Sequence, residues 1–295
     1  MKTRYKTILV AADGSEESHF ALKRSIELAK TNESRLVITH VVDYRNYSRM
    51  QLYSPYVLPA AEEKGQVILD ECKEIAEKSG VSSVSISMQQ GMPKSKIPKE
   101  IAAEFAADLI VSGASGAGTF EKFIVGSVSG GIARHASCDV LIVRDNPERK
   151  YQTIMIPVDG SDTGLDAFKK GIAMAKKSGA SVVIAHAMHT PMVSSADHYR
   201  DHILETFKEN GEKLINEYSR MAKEEGMEDD KLVLSLQAGS PKLILPKETA
   251  HRHHVDLIIV GASGLSSTER FFLGSVSEGI ARRAACDVLI IRNHQ

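Results

Sequence analysis

"DLIVSGASGAGTFEKFIVGSVSGGIARHASCDVLIVR", residues 108–144, returns as "DLIIVGASGLSSTERFFLGSVSEGIARRAACDVLIIR", residues 256–292, with about two-thirds of its positions identical. The glycines and the flanking apolar runs are kept, while the stretch from Gly116 to Gly126, and from Gly264 to Gly274, drifts. Self-similarity at a fixed long period means that one supersecondary unit is written twice. The repeat extends outward to nearly the whole chain. "KTILVAADGSEES" (Lys6–Ser18) aligns with "QTIMIPVDGSDTG" (Gln152–Gly164), and "GMPKSKIPKE" (Gly91–Glu100) with "GSPKLILPKE" (Gly239–Glu248). The spacing grows between those two matches, so two residues are inserted in the second copy.

The join, "DNPERKYQ" (Asp145–Gln152), is short and polar and contains Pro147, which reads as a turn-like linker. The chain of 295 residues suits two domains of about 150 each. The expected domains are residues 1–147 and 148–295.

Within a copy, short apolar runs alternate with helical patterns, the mark of βαβ units feeding a parallel sheet. In the first copy the runs are "TILVAA", "RLVITHVV", "VSISMQ", "DLIVSG" and "DVLIVR", and helices fit residues 16–31, 60–79, 94–106 and 128–136. The runs are almost continuously apolar, as strands are when helices cover both sheet faces. In the second copy, a helix over residues 198–225 places Ile203, Leu204, Phe207, Leu214, Ile215, Tyr218 and Met221 on one stripe, which predicts core packing. The fold class is α/β, two doubly wound domains in tandem.

Composition excludes several classes of function. With 37 basic and 38 acidic residues, the net charge of -1 provides no global field for nucleic acid or an anionic membrane. The apolar run near the N-terminus, about six residues, is too short for a secretory signal. No stretch approaches the ~20 apolar residues of a membrane span. The expected location is the cytoplasm. Cys72, Cys138 and Cys286 form no CxxC and no metal-ligand spacing, and Cys138 and Cys286 read as small buried side chains.

In an open α/β sheet, ligands bind beyond the carboxyl ends of the strands where the strand order reverses. After strand one stand Asp13, Gly14 and Ser15, and Asp159, Gly160 and Ser161. The serines read as helix N-caps. Asp13 and Asp159 read as acceptors for a ribose or base. After strand four come Gly113, Ala114, Ser115 and Gly116, then nine residues, then Gly126 and Ser127; the second copy has Gly261, Ala262, Ser263, Gly264, nine residues, Gly274 and Ser275.

Glycines allow close approach to the main chain. The second glycine–serine pair precedes a helix, whose bared amides and dipole favour phosphate. Ser275–Glu278, "SVSE", also fits a capping box, which Gly130 breaks in the first copy; both serines are read as able to cap and to bind. Thr119 stands where a Walker A loop needs lysine, no complete GxGxxG follows a strand, and Ala117 and Leu265 spoil GxSxG.

The pattern of Gly, two residues, Gly, nine residues, Gly and Ser, complete twice between a "DLI" and a "DVLI" strand, resembles that of the ATP-binding universal stress proteins. The resemblance covers nearly all of both halves. It implies a Rossmann-like, adenine nucleotide α-hydrolase-like domain with a five-stranded parallel sheet of order 3-2-1-4-5, and a nucleotide over the junction of strands one and four. It also implies that Asp13 and Asp159 lie at the adenosine end and that Val41 and Ala187 offer backbone groups to adenine. Gly113, Gly116, Gly126 and Ser127 would hold ribose and phosphates in the first copy, and Gly261, Gly264, Gly274 and Ser275 in the second. Ala187 departs from the family pattern, which Val41 matches. The resemblance further implies an intramolecular pseudo-dimer through the closing strands, Val140–Val143 against Val288–Ile291, and allows a homodimer.

Other residues invite a function. His251 and His254, in "HRHH", have a spacing that could suit a metal, but read as a solvated helix end. Residues 44–56 hold four of the eight tyrosines and read as a lid, an oligomer contact or plain packing. Lys122 and Arg270 lie in the paired nine-residue loops and read as solvated surface or as contacts to a terminal phosphate.

No convergent base, nucleophile or acidic metal cluster of the kind phosphoryl transfer needs is legible. The leading expectation is an ATP- or AMP-binding stress-response sensor or adaptor, with any Mg held mainly by the nucleotide phosphates. A slow ATPase and a non-binding scaffold are the alternatives.

Overall fold

The computed structural model describes residues 4–45, 56–116, 125–144, 150–188, 197–264 and 273–292, with the side chains of residues 197–204 left out. The chain divides into two compact units, with the break between Arg149 and Lys150.

The first unit runs β1 (Thr7–Ala11), α1 (Glu16–Asn32), β2 (Arg35–Val42), α2 (Val57–Lys78), β3 (Val84–Gln90), α3 (residues 93–104), β4 (Leu109–Gly113), α4 (Ser127–His135) and β5 (Asp139–Val143). Its strands are all parallel and lie in the order β3-β2-β1-β4-β5, with Val10 facing both Ile38 and Val111. The second unit repeats the plan: β6 (Thr153–Pro157), α5 (Asp162–Ser178), β7 (Ser181–Met188), α6 (Asp197–Glu224), β8 (Leu232–Ala238), α7 (residues 241–252), β9 (Leu257–Gly261), α8 (Ser275–Arg283) and β10 (Asp287–Ile291). Its order is β8-β7-β6-β9-β10, again parallel. Both units therefore have the 3-2-1-4-5 order.

Local sequence explains the elements. Every residue of β4 and β5 is buried, as their unbroken apolar runs require. The Ser15 side chain caps α1 by accepting from Ser18 N, and Glu16 and Glu17 complement the dipole of its first turn. The helix stops at Glu33, whose φ of 50° lies in the left-handed region. Helices α1 and α2 pack together on one face of the sheet, and α3 and α4 pack together on the other. Chain direction across the sheet reverses after β3, and right-handed crossovers then force the helices onto the opposite face.

Two expectations need correction. The outer strand β3 is only half-buried, with Met88 exposed, because it has a neighbour on one side only within its unit. In α6, Ile215 and Tyr218 are buried, but Phe207 is 39% exposed. The cause is length. A helix of 28 residues is about 42 Å long, whereas the eight-residue β7 spans about 26 Å. The helix is longer than the strand it covers, and Phe207 precedes Gly211, which packs level with Met188 at that strand's end; the side chains of Ile203 and Leu204 lie outside the described residues.

Candidate functional site

The switch point of each unit lies between the carboxyl ends of β1 and β4 in the first, and of β6 and β9 in the second. After β1 the chain turns through Gly14 at φ 79°, and after β6 through Gly160 at φ 80°, a conformation that favours glycine. That turn presents the preceding aspartate. Asp13 Oδ1 accepts from Ser15 N at 3.0 Å and from Ser15 Oγ at 2.5 Å; Asp159 Oδ1 accepts from Ser161 at 3.0 and 2.6 Å.

The other carboxylate oxygen crosses the switch point. A Cβ built on Gly116 would lie 2.5 Å from Asp13 Oδ2, and one on Gly264 would lie 2.9 Å from Asp159 Oδ2. The fold therefore brings together the acid after strand one and the second glycine after strand four, two groups that the sequence separates by about a hundred residues. Both aspartates are exposed. In the second unit, burial and then the Asp159 carboxylate push the Tyr218 phenol up, so this α6 side chain feels the site's charge. Its counterpart Cys72, on α2, is pushed up to about 11 by burial.

The glycine loop is pinned at its neck. Gly126 N donates to Ala114 O at 2.8 Å, and Gly274 N to Ala262 O at 2.7 Å. Those glycines are also the N-caps of α4 and α8, with no side-chain cap. The serine-cap reading of Ser127 and Ser275 is thereby corrected: each stands at the first helical position, exposed. A capping box at Ser275–Glu278 does not form, because Gly274 is the N-cap and Ser275 already lies inside the helix. The residues between, 117–124 and 265–272, lie outside the described residues, and Lys122 and Arg270 with them.

Gly113 and Gly261 have a packing role. A Cβ on Gly113 would stand 2.7 Å from the backbone carbon of Glu17, and one on Gly261 would stand 2.6 Å from that of Thr163. The first turn of α1, or of α5, passes directly over the end of the fourth strand. Val41 and Ala187 are the seventh residues of β2 and β7, with buried side chains.

Sequence reasoning missed some parts of the site. The third residue of each "SVS" fastens the helix after the glycine loop to the sheet: Ser129 Oγ donates to Gly113 O at 2.5 Å and Ser277 Oγ to Gly261 O at 2.6 Å. Its repetition in both halves was the available signal. The strand-two histidines tie β2 and β7 to the preceding turn, His40 Nδ1 to Ala12 O at 2.8 Å and His186 Nδ1 to Val158 O at 2.7 Å. A carbonyl only accepts, so Nδ1 carries the proton.

Elsewhere, His251 and His254 are exposed with ring centroids 6.5 Å apart, and no group of three or more metal-ligating side chains occurs among the described residues. Cys138 is buried and Cys286 partly so. Of the tyrosine-rich stretch, Tyr44 and Tyr56 are exposed and residues 46–55 lie outside the described residues. No helix among the described residues is long and apolar enough to cross a membrane.

A 3-2-1-4-5 parallel sheet, with an acid and a glycine loop facing each other where the strand order reverses, makes this a doubly wound α/β protein, here in two copies. The Universal stress protein family matches residues 4–144 and 150–292. The chain belongs to that family.

A Staphylococcus aureus (strain USA300) protein assigned to the universal stress proteins is 46% identical over 140 residues, covering 48% of this chain and 84% of its own. Two solved structures share the fold. The universal stress protein from Archaeoglobus fulgidus DSM 4304 has a TM-score of 0.71 at 20% identity, over 99% of this chain and 98% of that one. A Pseudomonas aeruginosa UCBPP-PA14 protein assigned to the same family has a TM-score of 0.68 at 18% identity, over 98% and 94%.

Proposed function

We propose that this universal stress protein binds an adenine nucleotide, ATP or AMP, in each unit and acts as a sensor or adaptor whose assembly follows nucleotide state. One observation carries the reading: Asp13 against Gly116, and Asp159 against Gly264, close the switch point in the same way twice. In this reading Asp13 and Asp159 accept from the ribose, and the backbones of Val41 and Ala187 meet adenine. Gly116, Gly126 and Ser127, with Gly264, Gly274 and Ser275, carry ribose and phosphates, and Gly113 and Gly261 let α1 and α5 close over the loop. The starts of α4 and α8, where Ser127 and Ser275 are exposed, supply amides for the anion. Any Mg arrives on the phosphates.

The test is mass spectrometry of whatever nucleotide is released when the purified protein is denatured, followed by calorimetric titration with ATP and AMP. Binding in the micromolar range, at up to two sites per chain, is the expected result. If neither nucleotide binds at millimolar concentration, the fold is a scaffold and the reading fails. The pairing of Val140–Val143 with Val288–Ile291, and a homodimer beyond it, belong to the same proposal. Light scattering with and without ATP reads the second, a doubling of mass on ATP being the expected outcome.

A further inference from the structure

The first turn of the helix after strand one touches the glycine loop in both units, by different chemistry. In the first unit, Ser115 Oγ donates to Glu17 Oε1 at 3.0 Å. Ser115 is buried, and Glu17 is half-buried where its own backbone crowds Gly113. In the second unit the residue at the Glu17 position is Thr163. Its hydroxyl donates to the backbone carbonyl of Ser263 and lies 3.5 Å from the Ser263 hydroxyl. Thr163 is buried too. Side chain grips side chain in one copy, and side chain grips main chain in the other.

The grip acts on the loop at the residue just before the glycine that faces the aspartate. Residues 113, 115 and 116 are thus each set by the β1–α1 segment: Gly113 by the backbone of Glu17, Ser115 by its carboxylate, and Gly116 by Asp13. The loop's remaining neighbour, Ala114, is held by Gly126. A loop that receives a ligand on its amides binds best when those amides are already aimed, because ordering them on binding costs affinity. The hook is therefore a part of the site that its ligand need not touch.

We propose that Glu17 and Thr163 are positioning residues for the glycine loops, and that the two sites differ in which loop atom they depend on: the Ser115 hydroxyl in the first unit, the Ser263 carbonyl in the second. The proposal rests on the nucleotide reading above. It assigns unequal roles to two serines that occupy the same place in the motif.

Hydrogen-exchange titration of the full chain with ATP reads the two sites separately, through peptides spanning residues 109–128 and 257–276. Ser115→Ala weakens ATP at the first loop about fivefold, the scale of one lost hydrogen bond, and leaves the second loop as an internal control for folding. Ser263→Ala changes the second site less than about twofold, because the carbonyl stays. Glu17→Ala reproduces Ser115→Ala, and Glu17→Gln, which keeps an oxygen acceptor, restores binding. Thr163→Val weakens the second site, and Thr163→Ser restores it.

Equal responses to the two serine variants, or Glu17→Gln as damaging as Glu17→Ala, overturn the proposal while the nucleotide reading stands. A wild-type chain with neither loop protected by ATP overturns both.

Discussion

Thr249→Val should make the second unit more stable. Thr249 is fully buried in α7, and its Oγ1 has no hydrogen-bond partner among the described residues. A helical threonine usually shares its hydroxyl with the carbonyl four residues back. Here the π-turn Leu245–Thr249 intervenes, and the Leu245 carbonyl already accepts from Ala250 N. A stranded buried hydroxyl costs about 1–3 kcal/mol. Valine has nearly the same shape, so the exchange removes that cost without opening a void or forcing the core apart, and the two residues have similar helix propensity.

The net gain should be about 1–2 kcal/mol. The first unit already carries the apolar solution at the matching position, Ile101, which is fully buried. The reverse change there, Ile101→Thr, should cost about 2–4 kcal/mol, from lost apolar burial plus a hydroxyl with no partner. Urea denaturation followed by circular dichroism measures both, with the midpoint rising for Thr249→Val at constant slope. Thermal scans should show a rise of roughly 2–4 °C per kcal/mol for units of this size. A lower midpoint for Thr249→Val would refute the reasoning, since it would mean that the hydroxyl is satisfied, for instance by an enclosed water.

The same logic applies to Ser112, which is buried with an Oγ that has no partner among the described residues, where the second unit has buried Val260. Ser112→Val should gain about 1 kcal/mol in the same urea assay, less than the bare hydroxyl cost because valine adds one methyl beyond the one that replaces the hydroxyl. Gly116→Ala forces the Asp13 carboxylate away, and should weaken ATP at the first site about tenfold, or ~1.4 kcal/mol, by calorimetry. Gly264→Ala, with 2.9 Å of room instead of 2.5 Å, should cost its site less.

Tyr5 gives a pH prediction. Burial, and then the Asp139 carboxylate that its hydroxyl donates to at 2.9 Å, hold the phenol well above its usual range. The folded state therefore keeps the proton longer than the unfolded one. The resulting stability is fully present below about pH 10, the unfolded value, and is lost as pH rises toward the folded one. In an alkaline absorbance titration one tyrosine should ionise only on unfolding, and Tyr5→Phe should remove that late step.

The repeat and the apolar runs made most of the fold legible, because buried parallel strands and covering helices write their periods directly into the chain. α1 ends at Asn32 where residue 31 was expected, and α4 opens at Ser127 where residue 128 was. The acid and the glycine loop were legible as well, since strand ends mark themselves.

What was not legible depends on contacts between distant segments. The Glu17–Ser115 bond joins residues 98 apart, and nothing local to either announces it. Glycine took the cap of α8 from Ser275 because the neck bond to Ala262 fixes where the helix begins, a tertiary constraint that capping preferences do not contain. Phe207 fits its helix's apolar stripe, yet the stripe is longer than the strands below it.

The bond between Gly126 and Ala114 has a further consequence for how such a chain can change. Because the two ends are fastened to each other, the gap that any intervening segment must close is fixed by the neck itself. Closing a longer loop over a fixed neck costs only about 0.6 kcal/mol for each doubling of its length. The same neck in the second unit, between Gly274 and Ala262, holds a segment of different composition. A peptide inserted between such fastened ends therefore costs the fold little, provided that Ser115 and Gly116, or Ser263 and Gly264, are kept.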